Sequence, residues 1–239
     1  MAERRFRQKH TTIDIGEQTM KRALLAAVMG FTALTAAAQV DEIYDPAPPA
    51  NAAFVRVINA APSVAAVTAK VGKVRVGNKP VAAGSASPYA VVEQGKRILT
   101  LAAGKWKLEE PFEVKAGYFY TIAFLPEPST PRLVVLEDTV NSNLAKAQIA
   151  LYNLSAASNV ELKTTDLKTT VIPAVASPQT KSIKVNPIRK AFAVLADGAA
   201  VYTVPEVQMQ AASSYSVIVT GPAAKPNVIW ILNTTGKGR

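Results

Sequence analysis

Four short apolar segments recur in the same order about 94 residues further along the chain, and this repeat constrains the fold more than any single motif. Phe54-Val55-Arg56-Val57-Ile58-Asn59 aligns with Gln148-Ile149-Ala150-Leu151-Tyr152-Asn153, and Leu99-Thr100-Leu101-Ala102 aligns with Ala193-Val194-Leu195-Ala196, both at an offset of 94. An offset of 95 then carries Tyr120 onto Tyr215, and Leu133-Val134-Val135-Leu136 onto Val228-Ile229-Trp230-Ile231, as one inserted residue requires. Matches in constant order and spacing mark tandem units of like topology. The polar stretch Asp138-Thr139-Val140-Asn141-Ser142-Asn143 separates them and reads as a linker.

From Ala53 onward, short apolar alternations are punctuated by Gly, Pro, Asn and Ser, and no window keeps helical spacing for three turns. The pattern predicts an all-β fold: two tandem β-sandwich domains of similar topology, over 53–138 and 145–235, joined by a linker at 139–144 and followed by a tail at 236–239. Predicted strands in the first unit are Phe54–Asn59, Val71–Val76, Tyr89–Glu93, Arg97–Ala102, Phe112–Val114, Tyr118–Leu125 and Arg132–Leu136. Strand alternation sends Val55 and Val57 to one face and Phe54, Arg56 and Ile58 to the other, and one of these faces must meet a second sheet. Candidate core residues are Leu101, Ile122, Phe124 and Val135 in the first unit, and Ile149, Leu151, Leu195, Val217, Val219 and Ile231 in the second. Each contributes about 1.5–3 kcal/mol when fully buried.

The N-terminus reads as an export signal. Met20-Lys21-Arg22 is a positive head, Ala23 through Leu34 carries no charge, and Ala36-Ala37-Ala38 offers the small-x-small pattern of a signal peptidase site, with cleavage after Ala38. The apolar run is shorter than the roughly 20 residues of a membrane-spanning helix. Residues 1–38 are therefore read as an over-long start, ahead of Met20, plus a cleaved signal, and the chain is expected in the periplasm. Residues 39–52, with Pro46, Pro48 and Pro49, read as an extended leader. Cleavage takes six of the 27 Lys/Arg and three of the 17 Asp/Glu, leaving 21 against 14 and a charge of about +7. That balance favours anionic partners such as an anionic polysaccharide, and export argues against nucleic acid.

Composition excludes several chemistries. The chain has no cysteine, so disulfides, thiolate nucleophiles and Cys-ligated metals are ruled out. Its one histidine, His10, precedes the cleavage site, so the exported form has no imidazole for a Ser–His–Asp relay. No Ser-x-x-Lys, Gly-x-Ser-x-Gly or Walker-type loop is present. Thr165-Asp166-Leu167-Lys168 has dyad-like spacing but the composition of a hairpin turn. Carboxylate pairs among Glu109-Glu110, Glu113 and Glu137-Asp138 keep glycoside hydrolysis formally open, although Glu109-Glu110 adjoins Pro111 as in a turn. No catalytic residue, cofactor or metal ligand is assigned.

Candidate contacts for a polyanion or a partner protein are Lys73, Arg75, Lys96, Arg97, Lys105, Trp106 and Lys107, where cations punctuate hairpins and flank an indole. Solvated strand faces, with Trp106 partly buried under a loop, are the stronger account of the same residues. Trp230, in an apolar strand, reads as core.

Tyr44-x-Pro46, Pro49, Phe54-Val55-Arg56-Val57-Ile58-Asn59-Ala60, Gly117-Tyr118-Phe119-Tyr120-Thr121 and Leu136-Glu137-Asp138 follow the signal in an order that resembles the AlgF family of periplasmic alginate O-acetylation proteins. The likeness continues through Ile149-Ala150-Leu151-Tyr152-Asn153-Leu154-Ser155 and Val185-Asn186-Pro187. Asp45-Pro46 replaces the family's Gly-Pro after the tyrosine, and the chain carries extra length around Lys70–Pro80. The resemblance implies a non-enzymatic adaptor for O-acetylation of alginate or a similar exopolysaccharide. Its implied partners are a periplasmic SGNH-type O-acetyltransferase and a membrane-bound O-acyltransferase. An extracytoplasmic carbohydrate-binding or matrix protein without a role in acetylation is the alternative, and a pathway enzyme with an unrecognised base is a third.

Overall fold

The computed structural model describes residues 50–125 and 131–235, and every regular element in them is a β-strand. The predicted signal, most of the leader, His10 and the tail lie outside the described residues.

The first half holds nine strands: β1 (Ala52–Asn59), β2 (Ala66–Val71), β3 (Val74–Ala82), β4 (Ser85–Ala86), β5 (Ala90–Glu93), β6 (Gly95–Ala103), β7 (Trp106–Val114), β8 (Phe119–Leu125) and β9 (Arg132–Asp138). The second half holds β10 (Ala147–Ser155), β11 (Asn159–Thr164), β12 (Thr170–Ala176), β13 (Gln179–Val185), β14 (Arg189–Ala196), β15 (Ala199–Gln208), β16 (Ser214–Gly221) and β17 (Asn227–Leu232). Each half builds two sheets. In the first, β4-β1-β8-β9, with β5 also on β1, packs against β3-β2-β6-β7; in the second, β13-β10-β16-β17 packs against β12-β11-β14-β15.

The repeat is visible residue by residue in the registers. β1 pairs parallel to β8 with Phe54 opposite Phe119, and β10 pairs parallel to β16 with Gln148 opposite Ser214, the same pairs displaced by 94 and 95. Asn59 is buried and donates to the carbonyls of Val64 (2.9 Å) and Val81 (3.3 Å), while Asn153 donates to those of Ala157 and Val175, both at 3.0 Å. Each asparagine also accepts a backbone N–H two residues on, from Ala61 and Ser155 respectively. One side chain thus closes the end of each inner strand and satisfies carbonyls that burial would otherwise leave unpaired. Tyr120 and Tyr215 match as well: each hydroxyl accepts the backbone N–H five residues upstream, from Lys115 and Gln210.

The inner sheets are buried on both faces. Val55, Val57, Tyr120, Ile122 and Phe124 face the first sandwich's own core. Ile58, Ala60, Ala123 and Leu125 face the other way and pack on Ala150, Tyr152, Leu154 and Ile218 of the second half. The molecule is therefore four layers deep, with two sandwiches sealed back to back. This is why β1, β8, β10 and β16 are buried along nearly their whole length, and why β1 and β8 read as nearly unbroken apolar runs.

Several local expectations need correction. Val71–Val76 is not one strand: Gly72, at φ 59°, and Lys73 form the turn between β2 and β3, because a left-handed residue costs glycine little. Glu109, Glu110 and Pro111 lie within β7, an edge strand that tolerates proline, and not in a turn. Val135 is 38% exposed because β9 is also an edge strand. Leu195 is buried on the outward face of its sheet, with Glu161 and Ala200 across from it on neighbouring strands. Thr165–Lys168 forms the predicted hairpin turn, in which Asp166 accepts the Thr164 hydroxyl and the Lys168 N–H. Trp230 packs on Phe192 and Tyr215 against the second core.

Candidate functional site

Among the described residues, the densest set of chemically capable side chains lies between the two sandwiches. Arg56, on the outward face of β1, is 1% exposed. Its Nε donates to Thr121 Oγ1 (2.8 Å), Nη1 to Asn233 Oδ1 (2.8 Å) and Nη2 to Ser216 Oγ (3.1 Å). Two rings flank the guanidinium, with its carbon 4.7 Å from the centroid of Tyr89 and 5.1 Å from that of Tyr152. The Asp138 carboxylate accepts the hydroxyls of Tyr89 (2.8 Å), Thr121 (2.6 Å) and Tyr152 (2.6 Å).

This network has internal symmetry. Thr121 and Asp138 correspond, 95 residues on, to Ser216 and Asn233. Thr121 passes a hydrogen bond from Arg56 to Asp138, and Ser216 passes one from Arg56 to Asn233 (2.9 Å). The arginine has no counterpart, since residue 150 is Ala. One cation therefore ties together equivalent residues of both halves. Burial works against its charge, but Tyr89, Tyr152 and Asp138 around it outweigh that and hold it more firmly protonated than an ordinary arginine. Burial likewise raises the hydroxyls of Tyr89 and Tyr152 above the usual tyrosine range, with Asp138 adding to the shift and Arg56 opposing it. These groups are engaged with one another, so the cluster joins the halves and presents no free base or nucleophile.

Sequence reasoning placed Arg56 only on a strand face and Asp138 only at a linker. A lone arginine inside an apolar run was the available signal. Its partners are 65 to 177 residues away in sequence, so only the fold could reveal them.

The seven surface candidates fall into two groups on the outer sheet of the first sandwich. Lys73 occupies the β2–β3 turn, Arg75 lies opposite Lys70, and Lys96 lies opposite Glu113. Arg97 donates to the Gln94 carbonyl (3.0 Å) and stands 3.6 Å from Glu93. At the other end, Lys105 sits in the β6–β7 turn with its ammonium 5.0 Å from the Trp106 ring, and Lys107 pairs with Glu109 at 2.8 Å. Ala103, the partner of Trp106, lies six positions along β6 from Arg97, a span of roughly 20 Å. Glu109 and Glu113 are likewise roughly 13 Å apart along β7, beyond the separation of a hydrolytic carboxylate pair.

A cleft of about 620 Å³ opens where the carboxyl ends of the inner strands converge, lined by Pro62, Leu125, Leu154, Ser155, Gly221 and Pro222 among others. Among the described residues no group of three His, Cys, Asp or Glu side chains could hold a metal ion, and no helix is long and apolar enough to cross a membrane.

Comparison with known proteins finds relatives that span most of the chain. A family model described as Alginate O-acetyl transferase AlgF matches residues 26–216. The alginate biosynthesis protein AlgF of Pseudomonas syringae pv. tomato is 28% identical over 215 residues, covering 90% of this chain and 91% of that protein. Its namesake in Pseudomonas aeruginosa is 28% identical over 213 residues, covering 89% of this chain and 93% of the other. The solved C-terminal domain of AlgF from P. aeruginosa aligns with 27% identity over 37% of this chain and 98% of its own length, at a TM-score of 0.34.

Proposed function

This chain belongs to the AlgF family, and on that premise we propose that it is a non-catalytic periplasmic adaptor for O-acetylation of an exopolysaccharide, alginate or a similar polymer. In this role it docks a periplasmic SGNH-type O-acetyltransferase and a membrane-bound O-acyltransferase. Holding donor and acceptor enzymes on one body raises the effective concentration at which acetyl groups meet sugar hydroxyls.

The observation that carries the reading is the use made of Arg56, Tyr89, Tyr152 and Asp138. Among the described residues, the richest cluster of ionisable and hydroxyl groups lies between two sheets, with Arg56, Tyr89 and Tyr152 buried, and its groups are consumed in joining the sandwiches. An acyl-transfer enzyme needs such groups open to substrate and poised for proton transfer. A scaffold needs them to keep its two surfaces in fixed relation.

The test is deletion of the gene, followed by the ratio of polymer-bound acetate to polymer yield. Acetate should collapse while yield persists. Normal acetate in the deletion strain would defeat the adaptor reading and favour a matrix protein. Turnover of an activated acetyl ester by the purified chain, lost on replacing one Ser or Lys, would instead make it an enzyme.

A further inference from the structure

At one end of the second sandwich, three exposed apolar side chains stand at loop tips among cations. The end is defined by strand register: Ala147 pairs with Val185, Thr164 with Phe192 and Arg189 with Gln208, so the loops 139–146, 165–169, 186–188 and 209–213 meet there. Hydrogen bonds join three of these loops. The Lys146 ammonium donates to Asn186 Oδ1, the Met209 N–H to the Ile188 carbonyl (3.0 Å), and the Ala212 N–H to the Lys146 carbonyl (2.9 Å). Leu144 is 61% exposed, Leu167 47% and Ile188 48%.

Around these tips stand Lys146, Lys168, Lys184, Arg189 and Lys190. Lys146 and Lys184 bond to neutral oxygens of Asn186 and Ser142, so their charge is not cancelled by an ion pair there. The nearby carboxylates are Glu206, 4.0 Å from Arg189, and Asp166, which accepts bonds within its own turn. The fold does not demand apolar tips. At an offset of 94, the first sandwich has Ala50, Lys73 and Gln94 in the equivalent positions.

The geometry points to this end of the second sandwich as a docking surface for an anionic lipid bilayer. Convex leucine and isoleucine tips suit insertion below the headgroups, while the ring of lysine and arginine matches headgroup charge. An anionic polysaccharide would use the cations and leave the tips in water. Docking at this end is independent of the acetylation reading and would bring whatever the protein carries to the membrane surface.

The test is cosedimentation of the chain from Gln39 onward, which holds every described strand, with vesicles of phosphatidylcholine containing about one-third phosphatidylglycerol. Binding is expected to these vesicles at low salt, and not to phosphatidylcholine alone. The combined variant Leu144→Ser, Leu167→Ser, Ile188→Ser should weaken it by at least about tenfold, while leaving binding to soluble dextran sulfate unchanged. Lys168→Gln with Lys190→Gln should weaken both by about tenfold or more. All five positions are exposed, so the variants should keep the wild-type melting temperature. The proposal is overturned if anionic vesicles are not bound, if the serine variant binds them like wild type, or if its loss is equal for vesicles and polymer. Vesicle binding is read without any acetylation measurement, so its failure leaves the adaptor reading standing.

Discussion

Arg56 shows how one residue can depend on a whole fold. Removing its charge leaves Asp138 without its cation and strands the oxygens of Thr121, Ser216 and Asn233 in a half-satisfied network. Arg56→Met should therefore lower stability by about 2–4 kcal/mol, read from urea unfolding. Asp138→Asn added to it should cost less than the two changes taken separately, because they act on one network. Lysine should not restore the loss, since a single ammonium cannot reach three acceptors in the guanidinium's planar geometry. The tyrosines make a second prediction. Burial raises the hydroxyls of Tyr89 and Tyr152 above the ordinary range, so the native state holds those protons more tightly than the unfolded chain does. Their contribution is complete below about pH 10, the unfolded tyrosine value, and is lost as pH rises above it. Urea midpoints should stay level near neutrality and fall above about pH 10, and Tyr89→Phe should flatten that fall.

At the scale of the element, the two halves solve each problem twice. Asn59 and Asn153 close the ends of β1 and β10 with matching bonds. Asn59→Leu and Asn153→Leu should each cost about 1–3 kcal/mol, by similar amounts, because each leaves two buried carbonyls without a donor. Amide hydrogen exchange should quicken beside the substituted strand and not at its twin, and uniform quickening would show that the asparagines act globally. The strands also differ in how openly they declared their places. β8 and β10 are buried along their whole length, and runs such as Ile122-Ala123-Phe124-Leu125 carried that in sequence. The β2–β3 turn was hidden because Val71-Gly72-Lys73-Val74-Arg75-Val76 alternates across the glycine as a continuous strand would.

For the whole molecule, the consequence is that the linker should not be what holds the halves together. With a protease site inserted between Ser142 and Asn143, the cleaved halves should elute together in size exclusion. They should separate when Ile58→Asp places a charge among Tyr152, Leu154 and Ile218. Halves that part without that substitution would make the covalent connection essential. The duplication, the all-β class and most strand positions were legible beforehand, because strand alternation and turn residues are local properties carried by neighbours in the chain. So was the absence of thiol chemistry, which composition alone decides. The cations at Lys73 and Lys105 looked like one surface in the sequence, yet they cap opposite ends of a sheet, since a hairpin reverses what linear order suggests. What covers the second face of β1, why Arg56 is tolerated there, and how Leu144, Leu167 and Ile188 come to share one end are answers that only tertiary structure supplied. Each rests on contacts between residues far apart in the chain, and a pattern of apolar and polar neighbours records that a face is buried without recording against what.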